Sequence, residues 1–587
     1  MRRLLTGVAL LVVVTAGVLA AQEAPLARLQ GADFDGGAKH LYGEVHHGMA
    51  STNYVYARPT DVHRMQAEIE VAAIPGRPMS LYLRGRDDDA EAACPIEIKL
   101  NGTSLHEGPS GHARDAFTWK AYAIPEGALR RGVNTIAIVN TAAQGVTGMP
   151  PWFMLAECAV AAADFDSAAP PPIEDDFRVA LPEAVRPLPE PLPEGQAPGF
   201  PLRGTKGWLW RAEQYLAEVP VLAEHEMNFL MICYGSMCDI EHYAWGHSDC
   251  NRWWEPLPDE KRAAYEGVLR ACQEHGVELC LSMNPNLTSK RILDYDSETD
   301  LDALWQHYAW MQALGMKWFC ISLDDIRKGI DAAGQARLVN AMFERLRAND
   351  AQARLIFCPT RYWGDGTEAG SRAYLETLAA QMDAKIYLFW TGDAVVTPRI
   401  TQAAAASYKA VAQHRLIIWD NYPVNDAHPT LHLGPVTGRD ADLSEVCDGY
   451  MSNPLHSENE VNRIPLLTCA DYAFNPWAYD PARAIGQAIV HVAENDAQRA
   501  VLKDLVELYP GMLVYAKGTA WNSVVSHFTE LLATPHLGHL AALYLRHVED
   551  VLARIEAAFP GRFGGAKATV RQNLAEMHEA YSAKYGE

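Results

Sequence analysis

Beyond residue 22 the chain has no apolar run with the length of a transmembrane helix, so no later segment reads as a membrane span. It is also short of positive charge: 50 Lys and Arg stand against 73 Asp and Glu, a formal net charge of -23. That balance repels polyanions at long range, and nucleic acid is not an expected partner. No GxGxxG follows any strand-like segment, which removes the usual dinucleotide-binding loop. Fibrous and disordered compositional biases are absent as well. What remains, 49% hydrophobic and 21% charged residues, is the composition of a globular protein, and 587 residues are too many for one ordinary domain.

The first residues, "MRRLLTGVALLVVVTAGVLAAQ", place two arginines before an apolar stretch that ends in small residues. This pattern reads as a secretory signal over residues 1–21, cleaved near Ala20 to Gln22, and the expected destination is the periplasm or the medium. The competing reading, a membrane anchor, is weakened by Thr6, Gly7, Thr15 and Gly17 inside the stretch. Export permits disulfides. Most of the eleven cysteines sit singly in apolar runs, as Cys280, Cys320 and Cys358 do, and behave as small buried hydrophobes. In "CDIEHYAWGHSDC", Cys238 and Cys250 are candidates for a disulfide or for free thiols, and with His242 and His247 they are ligand types for zinc.

Between residues 28 and 163, "MQAEIEVAAI", "MSLYLRG", "IEIKLNGTSL", "FTWKAYAI", "NTIAIVN" and "WFMLAECAV" are short β-rich segments bounded by turn residues, the pattern of a β-sandwich. Their order resembles the galactose-binding-like jelly rolls of carbohydrate enzymes, and either a sugar-binding or a purely structural sandwich fits it. Residues 164–200 are proline-rich and acidic and read as an extended linker. From 201 to 478, eight strand-like segments alternate with stretches of helical periodicity, which predicts a (β/α)8 barrel, with an open doubly wound sheet as the structural alternative. Residues 479–587 show helical patterns and read as an α-helical domain.

Chemistry in such a barrel gathers where strands run into the following loops. Those ends supply Asp324 and Asp325, Tyr362, Trp390 and Thr391, Trp419 and Asn421 with Asp426 beyond, and Asn453. Singly, a tryptophan there is often packing and an aspartate often a helix cap. Together, acids, aromatic faces and carboxamides around one mouth suit a sugar, whereas a phosphate would call for Lys, Arg or a Gly-rich loop. Asp324 and Asp325 pose a problem of their own, because successive strand residues face opposite sides. Both enter one pocket only if the strand ends in a bend, and adjacent carboxylates are poorly placed to flank a glycosidic bond as acid and nucleophile.

The ordered blocks "ISLDDI", "IFCPTRYW", "LFWTGDAVVT", "LIIWDNYPVND", "LHLGPVTGRDADL" and "LLTCADYAFNP" resemble glycoside hydrolase family 84, the O-GlcNAcase-like β-N-acetylglucosaminidases. The resemblance implies substrate-assisted, retaining hydrolysis of terminal β-linked GlcNAc on a glycan or glycoprotein, with the sugar's own acetamido oxygen attacking to form an oxazoline. It assigns Asp324 to orienting the acetamido group and Asp325 to general acid and base. It places Tyr362 on the acetamido oxygen, Thr391, Val395 and Trp419 around its pocket, and Asn421, Asp426 and Asn453 on the acetamido region or ring hydroxyls. No metal or cofactor is implied. Two departures stand out. Where the family has "EGFYG" on its first strand this chain has "RGTKGWLW", so that Gly207 matches the glycine and Lys206 replaces an acid. The family lysine after strand two is missing from "CYGSMCD" at Tyr234 to Cys238. A hexosaminidase or hyaluronidase-like enzyme acting on another 2-acetamido sugar, and a non-catalytic glycan-binding protein, are the competing expectations.

Overall fold

The structure is a computed structural model that describes residues 25–38, 52–88, 90, 92–114, 117–163, 177–239, 250–326, 328–425, 430–455, 459–511, 523–533 and 538–585. The signal segment, His242, His247 and Asp426 lie outside the described residues.

The N-terminal strands form two five-stranded sheets with antiparallel pairing throughout. Strand Arg64–Val71 shows why: every second side chain, from Met65 to Val71, is buried while its neighbours face water. The inward residues of both sheets, among them Ile69, Leu81, Ile98, Ile138 and Phe153, make one apolar cluster. The expected sandwich is present.

The eight expected barrel strands close on themselves. They are β1 (Leu202–Gly207), β2 (Phe229–Ile232), β3 (Glu278–Met283), β4 (Trp318–Ser322), β5 (Arg354–Cys358), β6 (Tyr387–Trp390), β7 (Arg415–Pro423) and β8 (Gly449–Asn453). All neighbours are parallel, and β8 returns to β1 with Leu202 opposite Gly449, which rules out the open sheet. Near-continuous burial along each strand explains why these segments read as plain apolar runs. Several of the surrounding helices start at side-chain caps. Ser297 accepts from the Asp300 amide, Asp331 from the Ala333 amide, and Thr401 from the Ala404 amide.

Residue alternation on β7 fixes what faces the mouth. Asp420 points away from the lumen and receives both arms of Arg439, at 2.7 and 2.6 Å, together with the Tyr450 hydroxyl at 2.7 Å. Asp420 and Arg439 are both buried, and three hydrogen bonds offset the loss of water around the two charges. Because Asp420 is clamped outward, Trp419 and Asn421 on either side of it are turned inward.

One expectation needs correction and another is narrowed. The acidic, proline-rich segment is not a free-standing spacer: its described part, 177–200, has no helix or strand but packs on the rest of the chain. The Val179 amide donates to Glu507, the Arg186 amide to Gln487, and the Leu188 carbonyl is 2.5 Å from His225 Nδ1. Val179 and Leu188 are buried there, because a proline-rich segment that lacks ladder partners can still satisfy its backbone with side chains. For the cysteines, of the alternatives the sequence left open, the structure has the free thiols. All eleven cysteines are buried free thiols, and Cys238 and Cys250 lie within hydrogen-bonding reach of each other without a covalent bond.

Beyond the barrel, helices Pro481–Val492, Asp496–Leu508, Ser523–Ala533, Gly538–Ala558 and Gly564–Tyr585 share a second large apolar cluster. None of the described helices is long and apolar enough to cross a membrane.

Removing one partner of the buried Asp420–Arg439 pair leaves an uncompensated charge between β7 and β8. Asp420→Ala is expected to destabilise the protein by about 3–5 kcal/mol, read as a fall in the midpoint of denaturant unfolding.

Candidate active site

Strand β4 ends at Ser322, and the chain turns at Asp324 and Asp325. Asp325 has φ of 55°, in the left-handed region that a non-glycine residue adopts only at a cost, and that aspartate tolerates better than most. This is the bend that two adjacent carboxylates require. It breaks the alternation of the strand and separates the fates of the two side chains: Asp324 is buried, at 4% exposure, while Asp325 is exposed.

Each carboxylate has its own partners. Asp324 Oδ2 accepts the Tyr234 hydroxyl at 2.8 Å, and Oδ1 accepts Asn284 Nδ2 at 3.1 Å; the same amide nitrogen donates to the Asp324 carbonyl at 3.1 Å. Burial pushes the Asp324 carboxyl above the usual carboxylate range, and the Lys206 ammonium, the Tyr234 hydroxyl and Asn284 oppose that push. Asp325 Oδ1 accepts the Tyr362 hydroxyl at 2.9 Å. Burial, followed by the charges of Asp325 and Asp324, raises the Tyr362 phenol well above its ordinary value, so it remains a donor.

The far wall comes from β6, β7 and β8. Trp419 Nε1 donates to Asn421 Oδ1 at 3.0 Å, Asn453 Nδ2 donates to the same oxygen at 2.7 Å, and Asn421 Nδ2 donates to the Val395 carbonyl at 2.6 Å. Thr391 is held by its hydroxyl to the Ala394 carbonyl at 2.9 Å, which shapes the loop that carries Val395. Trp419, Asn421, Asn453, Val395 and Thr391 therefore form one connected group. Asn453 Oδ1 and Asn284 Oδ1 are buried without a hydrogen-bond partner among the described residues. Trp390 instead turns to the packing side, with Nε1 donating to the Gly364 carbonyl at 2.8 Å.

Gly207 packs against the helix that follows its strand. Its carbonyl accepts the Tyr215 hydroxyl at 2.8 Å, and a Cβ placed on it would lie 2.4 Å from the Tyr215 ring. The glycine lets helix Ala212–Glu224 pack closely on the end of β1. Its neighbour Lys206 faces the other way, into the lumen, and is buried at 1% exposure.

The sequence profile of a family described as beta-N-acetylglucosaminidase matches residues 204–507, more than half of the chain. The chain belongs to that family. It is a glycoside hydrolase, and the match begins inside β1 and ends in helix Asp496–Leu508. Its fold is similar to that of a protein named CpGH84B, with a TM-score of 0.51 and 19% identity over 73% of this chain and 69% of the other. It is also similar to a mutant of the Thermobaculum terrenum O-GlcNAc hydrolase, with a TM-score of 0.52 and 21% identity over 65% of this chain and 82% of that one.

Three residues that surround the carboxylates are given no site role by the sequence, although Lys206 and Tyr234 mark its two departures from the family motif. Tyr234 lies two positions past the end of β2, Asn284 directly follows β3, and Lys206 lies within β1. Extending the strand-end reading to the first three strands finds the first two. Tyr234→Phe removes a donor to the ionised form of Asp324. Its carboxyl then rises further, and the acidic limb of the pH dependence of kcat/KM moves to higher pH, with a loss on the order of tenfold at neutral pH. Initial rates across a pH series check this.

Proposed function

We propose that the enzyme is an exported, retaining β-N-acetylglucosaminidase that removes terminal β-linked GlcNAc from glycans or glycoproteins by substrate-assisted catalysis. The observation that carries this reading is the unequal treatment of two adjacent carboxylates. Asp324 is buried with a donor on each oxygen, which makes it a poor nucleophile but leaves lone pairs to accept the N–H of a 2-acetamido group. Asp325 is open to solvent and touches Tyr362, the position expected of a group that gives a proton to a departing oxygen and later takes one from water.

In this reading the acetamido carbonyl oxygen attacks the anomeric carbon while Asp325 protonates the leaving oxygen. The oxazoline that forms carries positive charge on its N–H, and the Asp324 carboxylate stabilises that charge. Asp325, now ionised, takes a proton from water as the water opens the ring from the face the aglycone left, so configuration is retained. Tyr362 reaches the acetamido oxygen once it is drawn from Asp325, Trp419 with Thr391 and Val395 bounds the methyl, and Asn453 Oδ1 is an acceptor for a sugar hydroxyl. Asp426 is assigned here only through the family pattern. Export rests on the sequence of residues 1–22.

Against a glycan-binding protein without turnover stands the positioning of both aspartates and Tyr362 in one hydrogen-bonded mouth. The test is hydrolysis of 4-nitrophenyl β-N-acetylglucosaminide beside its β-N-acetylgalactosaminide counterpart. Wild-type protein is expected to favour the first, and Asp325→Asn to lose about 10²–10⁴ in kcat. Undiminished turnover by the variant would overturn the assignment of Asp325.

A further inference from the structure

A lysine inside a barrel strand is unusual enough to ask what holds it. Lys206 Nζ lies 3.9 Å from the centroid of the Trp419 ring, 4.4 Å from that of Trp208 and 5.5 Å from that of Tyr234. These three aromatic faces stabilise a cation by their quadrupoles and shut water out. Among the described residues no carboxylate closes to ion-pair distance, yet the charge of Lys206 is felt at Asp324, Cys233, Cys320 and Cys358. Of the groups that favour ionised Asp324, it is the strongest. The cage also joins the two halves of the mouth, since Trp419 is bonded to Asn421 and Tyr234 to Asp324.

We propose that Lys206 is a positioning residue: its ammonium, caged by Trp208, Tyr234 and Trp419, ties the Asp324 side chain, through the Tyr234 that bonds it, to the Trp419–Asn421–Asn453 wall. The inference deepens the proposed function and rests on it for the catalytic consequence. The two departures from the family pattern meet in the fold. Lys206 stands where an acid was expected and Tyr234 begins the segment where a lysine was expected, and the two side chains are in contact.

The electrostatics around Asp324 involve every neighbouring strand. Lys206 faces it from β1, Cys233 and Tyr234 from the end of β2, Asn284 from β3, Cys320 from β4, Cys358 from β5, and Asp325 and Tyr362 from the two loops beyond. The three thiols and the Tyr362 phenol are pushed upward by burial and stay neutral around neutral pH. Lys206 is then the cation that acts on Asp324, and it favours ionisation of that carboxyl.

The test is Lys206→Met, with Lys206→Arg as the variant that keeps the charge. Two readouts are needed. The pH dependence of kcat/KM is expected to show the acidic limb of Lys206→Met moved to higher pH, with a loss on the order of tenfold or more below neutrality, and Lys206→Arg to restore the limb. The carboxyl titration of Asp324, followed by NMR of protein labelled at the aspartate carboxyl carbons and assigned with Asp324→Asn, reads ionisation without turnover. An Asp324 titration that moves upward in Lys206→Met while no glycoside is hydrolysed by any form would uphold the inference and defeat the functional reading. Active protein whose Asp324 titration and acidic limb are the same in Lys206→Met as in wild type would overturn the inference. Should Lys206→Met fail to fold, Lys206→Gln, which keeps a polar chain end, is read in the same way.

Discussion

One buried carboxyl group, that of Asp324, organises the mouth of this barrel. Taking the Asp324 carboxylate out of water is unfavourable by several kcal/mol or more unless donors and a cation replace the lost hydration. The chain supplies them from three strands: Lys206 on β1, Tyr234 after β2 and Asn284 after β3. Asp325 can then be placed beside it only by a backbone turned into the left-handed region, which sends the second carboxylate to the surface instead of stacking it against the first. Strain of this kind, of order 1–3 kcal/mol, persists where surrounding structure holds it, and here the Tyr362 hydroxyl does so. The division of labour between the two acids follows from that one bend.

The opposite wall depends on a separate buried charge. Asp420, paired with Arg439, fixes the register of β7, and the inward residues Trp419 and Asn421 inherit their directions from it. The two charge systems meet at Trp419, whose ring lies over the Lys206 ammonium and whose indole N–H reaches Asn421. Through this contact the Trp419–Asn421–Asn453 wall and the acid pair are joined, which suits the proposed reaction, in which the sugar's own substituent is held close to the anomeric carbon.

Much of this was legible in the sequence because barrel strands buried on both faces are near-continuous apolar runs, and because chemistry-bearing residues follow directly after them. Asp324, Asp325, Tyr362, Trp419, Asn421 and Asn453 all stand at such ends. Lys206 reads in the sequence only as a departure from the family motif, because a lone cation within a strand has no sequence signature for the aromatic cage around it. Trp208, Tyr234 and Trp419 are far apart in the chain and meet only when β1, β2 and β7 close into a barrel. Gly207 reads as a sugar contact from its place in a motif, whereas the neighbour that its missing side chain admits is Tyr215, on the helix that follows β1. The proline-rich segment reads as a spacer by composition. Its contacts with Glu507 and Gln487 involve residues some three hundred positions later, which local patterns do not reveal.

The central claim is that the nucleophile belongs to the substrate, and the most direct measurement varies that nucleophile alone. Aryl β-glucosaminides bearing N-acetyl, N-fluoroacetyl, N-difluoroacetyl and N-trifluoroacetyl groups present carbonyl oxygens of falling basicity on the same sugar and leaving group. The account predicts that kcat/KM falls steeply and monotonically along the series. A flat series with the same enzyme would contradict it, and would place the attacking group on the protein.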